Sequence, residues 1–196
     1  PDDKDVVQLG TALARAGIVT VFHWSPSMNF KSNIDIKEIE HLVGAFRHMR
    51  AQSFVDPERI GIGGFCVGAS FALIAASDPR IARDVAFVNA FGPYYDARHL
   101  LFQISSRSRY SPGGTEGWEP DDLTWKVFVN EILESMNNDN DRQTLTKVFG
   151  EKRQISYLEP SGLSTEGQTA FKLLSGVSSI GEAEILLDGL PEGFQE

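Results

Sequence analysis

A strand pattern leads directly into a helical pattern around the single cysteine of the chain. The segment Arg59–Gly63 has the apolar, β-branched character of a strand, and residues 67–77 are rich in Ala and Ser with helical spacing. Gly64 and Gly68 stand two residues on either side of Cys66. Small residues at both positions allow close packing where a strand turns into a helix. The sequence therefore predicts a strained turn at Cys66.

The first half of the chain alternates helices with strands. The alternating segments are residues 3–16, 18–22, 34–52, 59–63, 67–77 and 85–89, the first, third and fifth of which have helical periodicity. Helices between short buried strands indicate a parallel sheet with right-handed crossovers. We therefore expect residues 1–93 to form a partial α/β core with three strands.

The second half, residues 94–196, has a mainly helical pattern with no expected strand, and residues 105–120 are expected to be a loop. Its strongest helix spans 121–137, with an apolar face made of Trp125, Phe128, Val129, Ile132, Leu133 and Met136. A weaker helix is expected at 141–150. Two further helices are indicated by capping pairs, which are Thr165 with Gln168 and Ser179 with Glu182, and the last ends at Gly189.

Composition excludes several classes of protein. The net charge of −9 argues against a nucleic-acid-binding protein, because phosphate recognition needs a basic surface. A single cysteine cannot form an internal disulfide, and no apolar run approaches the roughly 20 residues of a membrane span. Neither a metal-ligand constellation nor a dinucleotide or phosphate-loop motif is present, so no cofactor and no metal are expected. We expect a cytoplasmic protein.

The Gly-Phe-Cys-x-Gly stretch at the strand–helix join resembles the nucleophile elbow of the α/β-hydrolase superfamily, with cysteine in place of the usual serine. This form is most similar to dienelactone hydrolases and related esterases. The resemblance implies that Cys66 is the nucleophile, that the amide of Val67 is an oxyanion donor, and that Gly64 and Gly68 are structural. It also implies that residues 94–196 are a helical cap, and that the sulfur faces a pocket between cap and sheet.

The triad partners that the resemblance implies are not found. In this fold an acid and then a histidine follow the nucleophile in chain order. His99 is the one histidine after Cys66, and it comes too early for that role, whereas His23 precedes the elbow. We therefore nominate neither an acid nor a base and expect both outside this segment. We also expect an incomplete hydrolase domain, whose sheet is completed by flanking polypeptide or a partner chain.

Two functions remain open from the sequence. The first is hydrolysis of carboxylic ester, lactone or thioester bonds in a small, apolar acyl substrate, with Cys66 as the attacking group. The alternative is a non-catalytic α/β-hydrolase-like scaffold that binds a ligand or a protein. Replacement of serine by cysteine and the missing triad partners would both be explained by such a scaffold.

Overall fold

Tertiary contacts divide the chain into two compact units. The computed structural model describes residues 3–150 and 160–191. The first unit is Pro1–Phe30 with Asp35–Tyr95, and the second is Lys31–Ile34 with Asp96–Glu196. Cys66 belongs to the first unit.

The first unit contains a parallel pair of strands joined through a helix. Its elements in chain order are α1 (Lys4–Arg15), α2 (Glu38–Arg50), β1 (Gly61–Phe65), α3 (Val67–Ser77) and β2 (Phe87–Phe91). Strands β1 and β2 run parallel, with a register that pairs Gly61 with Phe87 and Phe65 with Phe91. The helix α3 lies between them in sequence and contacts both strands. The predicted α/β architecture with a parallel sheet is therefore confirmed.

A small apolar core holds α2 and α3 against the sheet. It is built from Val43, Phe46, Ile62, Ala72, Ala75 and Ile81, all of which are buried. The alanines of α3 carry little side-chain volume, so this helix can approach its neighbours closely. The apolar stripe predicted for residues 34–52 is confirmed at Val43 and Phe46, whereas Ile36 at its start is 62% exposed.

The prediction of a third strand at residues 18–22 is wrong. In the described part of the chain β1 and β2 form a sheet of two strands, and residues 18–22 are not paired with either. Val19 and Val21 are 57% and 56% exposed. A β-branched run favours an extended backbone, but it becomes a strand only where a neighbour accepts and donates its hydrogen bonds. The preceding helix α1 also has no buried residue.

The second unit is mainly helical. Its elements are α4 (Ala97–Ser106), β3 (Ser108–Ser111), β4 (Gly114–Gly117), α5 (Asp122–Ser135), α6 (Asp139–Leu145), α7 (Thr165–Ser175) and α8 (Ile180–Asp188). Single turns of other helix types occur in this unit at Thr146–Gly150 and Pro160–Gly162, and a further one at Ser27–Lys31 lies almost wholly in the first unit. None of the helices in the described residues is long and apolar enough to cross a membrane.

The core of the second unit is centred on α5. The predicted apolar face of this helix is confirmed, because Trp125, Phe128, Val129, Ile132, Leu133 and Met136 are all buried in one cluster. The cap at Ser179 is also confirmed, since its hydroxyl accepts from the amide of Glu182. The cap of α7 is Ser164, one residue before the predicted Thr165, and its hydroxyl accepts from the amide of Gly167.

A short antiparallel hairpin replaces part of the loop that was predicted at 105–120. Strands β3 and β4 pair from Ser108 with Gly117 to Ser111 with Gly114, which leaves Pro112 and Gly113 as a two-residue turn. Each strand has four residues, most of them polar or glycine, so no apolar alternation marks the hairpin in the sequence. The turn fixes the register instead, because a two-residue connection closes an antiparallel pair.

Candidate active site

Cys66 occupies the single residue between β1 and α3. Its backbone has φ 54° and ψ −125°, in the region of positive φ that side chains other than glycine rarely adopt. The amide of Cys66 donates to the carbonyl oxygen of Phe91 over 2.9 Å, which extends the pairing of β1 with β2 by one bond. The strain is held by ordered structure on both sides, and such strained residues cluster at active sites.

The close approach of strand and helix at this turn requires glycine at position 64. A Cβ built on Gly64 would lie 2.2 Å from the carbonyl oxygen of Gly68 and 2.7 Å from the amide nitrogen of Ala69. Backbone atoms cannot yield at such distances, so a larger residue would push α3 away from β1. A Cβ on Gly68, in contrast, meets nothing within 4 Å. The close packing expected at both glycines is therefore found only at Gly64, where the backbone of Gly68 is the part that leaves no room for a side chain.

The thiol of Cys66 is exposed at the N-terminal end of α3. Val67 is the first residue of that helix, so its amide has no partner within the helix. The N-terminal end of a helix carries partial positive charge and favours an anion placed beside it. This arrangement suits a thiolate and an oxyanion at the same end of the helix. The roles of Cys66 as nucleophile and Val67 as oxyanion donor stay predictions.

Tyr94 is a site residue that the sequence reasoning missed. Its hydroxyl oxygen lies 2.7 Å from the sulfur of Cys66. The amide of Tyr94 donates to the hydroxyl of Ser70 over 2.9 Å, which fixes the segment after β2 against the first turns of α3. Gly92, with φ 62°, turns the chain at the end of β2. Its position just after a predicted strand could have indicated that Tyr94 lies near Cys66, because the carboxyl ends of parallel strands meet at one edge of a sheet.

His23 and His99 each form a polar contact with a nearby acidic residue. His23, in the first unit, has its Nε2 atom 3.5 Å from a carboxylate oxygen of Glu38. His99 belongs to the second unit, where it lies in the first turn of α4 and its amide donates to the capping carboxylate of Asp96. Within residues 3–150 and 160–191, no three His, Cys, Asp or Glu side chains are grouped so that they could hold a metal ion.

The segment that holds the elbow and its flanks is similar to a known protein family. The sequence model of the dienelactone hydrolase family matches residues 27–103. This segment is dienelactone hydrolase-like. The match covers α2, β1, the cysteine turn, α3 and β2, and it extends into α4. The resemblance drawn from the elbow is thereby confirmed, as is the α/β-hydrolase fold class.

One curated relative is similar over a shorter stretch. It is described as a probable 2-oxo-3-(5-oxofuran-2-ylidene)propanoate lactonase from Bradyrhizobium sp., and it is 40% identical over 53 residues. That stretch is 27% of this chain, and it spans about a fifth (21%) of the length of the lactonase. No solved structure matches the chain.

Proposed function

We propose that this dienelactone hydrolase-like chain carries the nucleophile of an enzyme that hydrolyses ester, lactone or thioester bonds, and that Cys66 is this nucleophile. The observation that carries the proposal is the positive φ of Cys66 at a strand–helix join that admits only glycine at position 64. A non-glycine residue in such a conformation costs about 1–3 kcal/mol, and the surrounding structure must hold it in place. The matched hydrolase family and the lactonase name of the relative support the same reaction class.

The proposed chemistry starts with attack of the Cys66 thiolate on the carbonyl carbon. A sulfur–carbon bond forms, and the carbonyl electron pair moves to the oxygen, where the amide of Val67 donates a hydrogen bond. Collapse of this intermediate expels the alcohol or thiol part of the substrate and leaves a thioester on Cys66. Water then hydrolyses the thioester. In a lactone the expelled alkoxide stays attached to the acyl group, so the whole substrate remains on the enzyme until that second step.

The proton transfers are assigned to a histidine and a carboxylate supplied by further polypeptide, either of the same protein or of a partner chain. Exposed apolar side chains on the strands support additional covering of the sheet. Phe65, Phe87 and Phe91 are 61%, 55% and 53% exposed, and parallel sheets are ordinarily covered on both faces.

The substrate is proposed to be a small acyl compound of apolar character. The helical unit is proposed to act as the cap, and the cytoplasmic location also stays a prediction.

The test is acylation of the purified chain by an activated ester and by a lactone. We expect p-nitrophenyl acetate to release p-nitrophenol and to leave an acetyl group on the peptide that contains Cys66, as read by mass spectrometry. Dihydrocoumarin is expected to add its full mass to the same peptide. The Cys66→Ala variant is the negative control. The Cys66→Ser variant tests whether a hydroxyl, which is a weaker nucleophile than a thiolate, can replace the sulfur.

Acylation that is lost in Cys66→Ala would support the proposal even where turnover is slow, because attack by the thiolate precedes hydrolysis of the thioester, the step that needs a base. Absence of any adduct on Cys66 with both reagents would contradict it. That outcome would favour the alternative function, a non-catalytic scaffold for a ligand or a protein.

A further inference from the structure

We infer that Tyr94 is a positioning residue for Cys66, and that its hydroxyl donates a hydrogen bond to the thiolate and favours that form. The inference rests on the proposed function, because it assigns a role within the same site. Its physical basis is the 2.7 Å contact between the hydroxyl oxygen of Tyr94 and the sulfur of Cys66. Neither the elbow motif nor the chain order of the triad points to this residue.

The backbone around Tyr94 is fixed on both sides of this contact. The amide of Cys66 donates to Phe91, and the amide of Tyr94 donates to Ser70. Ser70 lies one helical turn after Cys66, so the segment that follows β2 is bound to the same helix whose first residue follows the cysteine. The hydroxyl of Tyr94 is therefore held at the sulfur by two anchored backbone segments rather than by a free side chain.

The chemistry of the two groups decides which atom donates. A thiol is a weak hydrogen-bond donor, whereas a phenol hydroxyl is a good donor and a thiolate is a charged acceptor. The hydrogen bond is therefore stronger when Cys66 is ionised and Tyr94 donates. An exposed sulfur leaves room for an electrophile to approach beside the hydroxyl. Tyr94 thus adds a donor to the helix amides that favour negative charge at this place.

The test measures how fast iodoacetamide alkylates the protein between pH 4 and pH 10. Alkylation reports on Cys66 alone, because the chain has one cysteine. The reaction needs the thiolate, forms a carbon–sulfur bond and releases iodide, and its midpoint on the pH axis marks ionisation of the thiol. We expect Tyr94→Phe to move this midpoint up by about one pH unit, which corresponds to roughly a tenfold lower rate below both midpoints.

The matched control is Tyr95→Phe, because Tyr95 is the next residue and its side chain is fully exposed. This variant should keep the midpoint of the unchanged protein. A Tyr94→Phe midpoint that equals or lies below that of the unchanged protein would overturn the inference. Circular dichroism and thermal unfolding establish that both variants are folded.

A second substitution keeps the inference testable if Tyr94→Phe unfolds the protein. Replacing Tyr94 with 3-fluorotyrosine retains the ring and the hydroxyl but makes the hydroxyl a stronger donor. The alkylation midpoint should then fall below that of the unchanged protein, and an unchanged or higher midpoint would overturn the inference.

The two proposals fail in different ways. Alkylation requires neither an ester nor a base, so the midpoint shift can be present when no acylation by esters occurs. In that case the role of Tyr94 stands and the hydrolase proposal falls. If Cys66 is acylated but Tyr94→Phe leaves the alkylation midpoint unchanged, the hydrolase proposal stands and the role of Tyr94 falls.

Discussion

The hydroxyl of Tyr94 contacts the sulfur of Cys66 across 28 positions of sequence, with 2.7 Å between the two atoms. The contact follows from the parallel pairing of β1 with β2, because Phe65 and Phe91 are opposite each other at the ends of these strands. Cys66 comes directly after one strand, and Tyr94 comes three residues after the other. The pairing therefore brings a thiol and a phenol together at the carboxyl edge of the sheet.

Gly64→Ala should destabilise the first unit strongly, because the new methyl group would collide with backbone atoms of Gly68 and Ala69. Overpacking of this kind typically costs 1–3 kcal/mol and occasionally more, so we expect a loss of about 3 kcal/mol in the free energy of unfolding. The measurement is urea denaturation followed by circular dichroism.

Gly68→Ala is the matched control for that variant, since a Cβ at this helical position meets nothing within 4 Å. Alanine has a higher helix propensity than glycine, which favours the variant by about 0.5–1 kcal/mol. A loss of stability in Gly68→Ala as large as in Gly64→Ala would contradict the packing described for this turn.

Cys66→Gly should be more stable than Cys66→Ala by about 1 kcal/mol. Neither variant has a thiol, but alanine keeps the steric strain of a side chain at φ 54°, whereas glycine adopts positive φ freely. Thermal unfolding of the two variants under the same conditions measures the difference. Equal stability, or greater stability of the alanine variant, would show that the turn stores no strain at this residue.

Asp141→Asn should weaken the junction between α6 and α7. The buried carboxylate of Asp141 accepts hydrogen bonds from both the amide and the hydroxyl of Ser164, and the amide bond is 3.0 Å long. Both donors bond the same carboxylate oxygen, and the neutral oxygen of asparagine could accept both but without the negative charge, so the two charge-assisted hydrogen bonds weaken at a cost of about 1–2 kcal/mol.

The matched control for Asp141→Asn is Asp139→Asn. The side chain of Asp139 is 73% exposed and pairs with Arg142. Exposed pairs contribute little, so this variant should stay within about 1 kcal/mol of the unchanged protein. Urea denaturation measures both, and similar losses in the two variants would argue against a special role of the buried carboxylate.

Asp78 should titrate well below an ordinary aspartate. The guanidinium of Arg80 donates to its carboxylate, and the backbone amide of Arg80 donates as well, which together lower the pKa of Asp78 from 3.8 to about 2. Because the folded pKa is depressed, the stabilisation is complete above pH 3.8 and is lost as the pH falls towards 2. Carbon-13 NMR of the Asp78 carboxyl measures this titration.

Arg80→Gln should return the pKa of Asp78 towards its ordinary value, since it removes the guanidinium that Asp78 and Glu40 share. Arg83→Gln removes the same charge three residues further along the chain and should leave the titration of Asp78 unchanged. A shift of similar size in both variants would show that net charge rather than the direct hydrogen bond lowers the pKa.

Local patterns were sufficient for the elements that carry their own signal. The spacing of Trp125, Phe128 and Val129 determined both the helix and its buried face, because the period of an α-helix places these side chains on one side. The glycines around Cys66 predicted the tight turn between strand and helix. The structure gives the reason at position 64, where the backbone of Gly68 leaves no room for a side chain.

Features that depend on a distant partner were decided by the tertiary structure. The apolar run at residues 18–22 has the composition of a strand, but it forms none in the structure because no strand lies beside it in the described part of the chain. The polar segment Ser108–Ser111 has no such composition and forms a strand because a two-residue turn returns Gly114–Gly117 to pair with it. The position of Tyr94 also depends on a distant segment. Its place at the sulfur of Cys66 is set by the register of β1 with β2, and a register between strands is a relationship between two distant segments that neither contains alone.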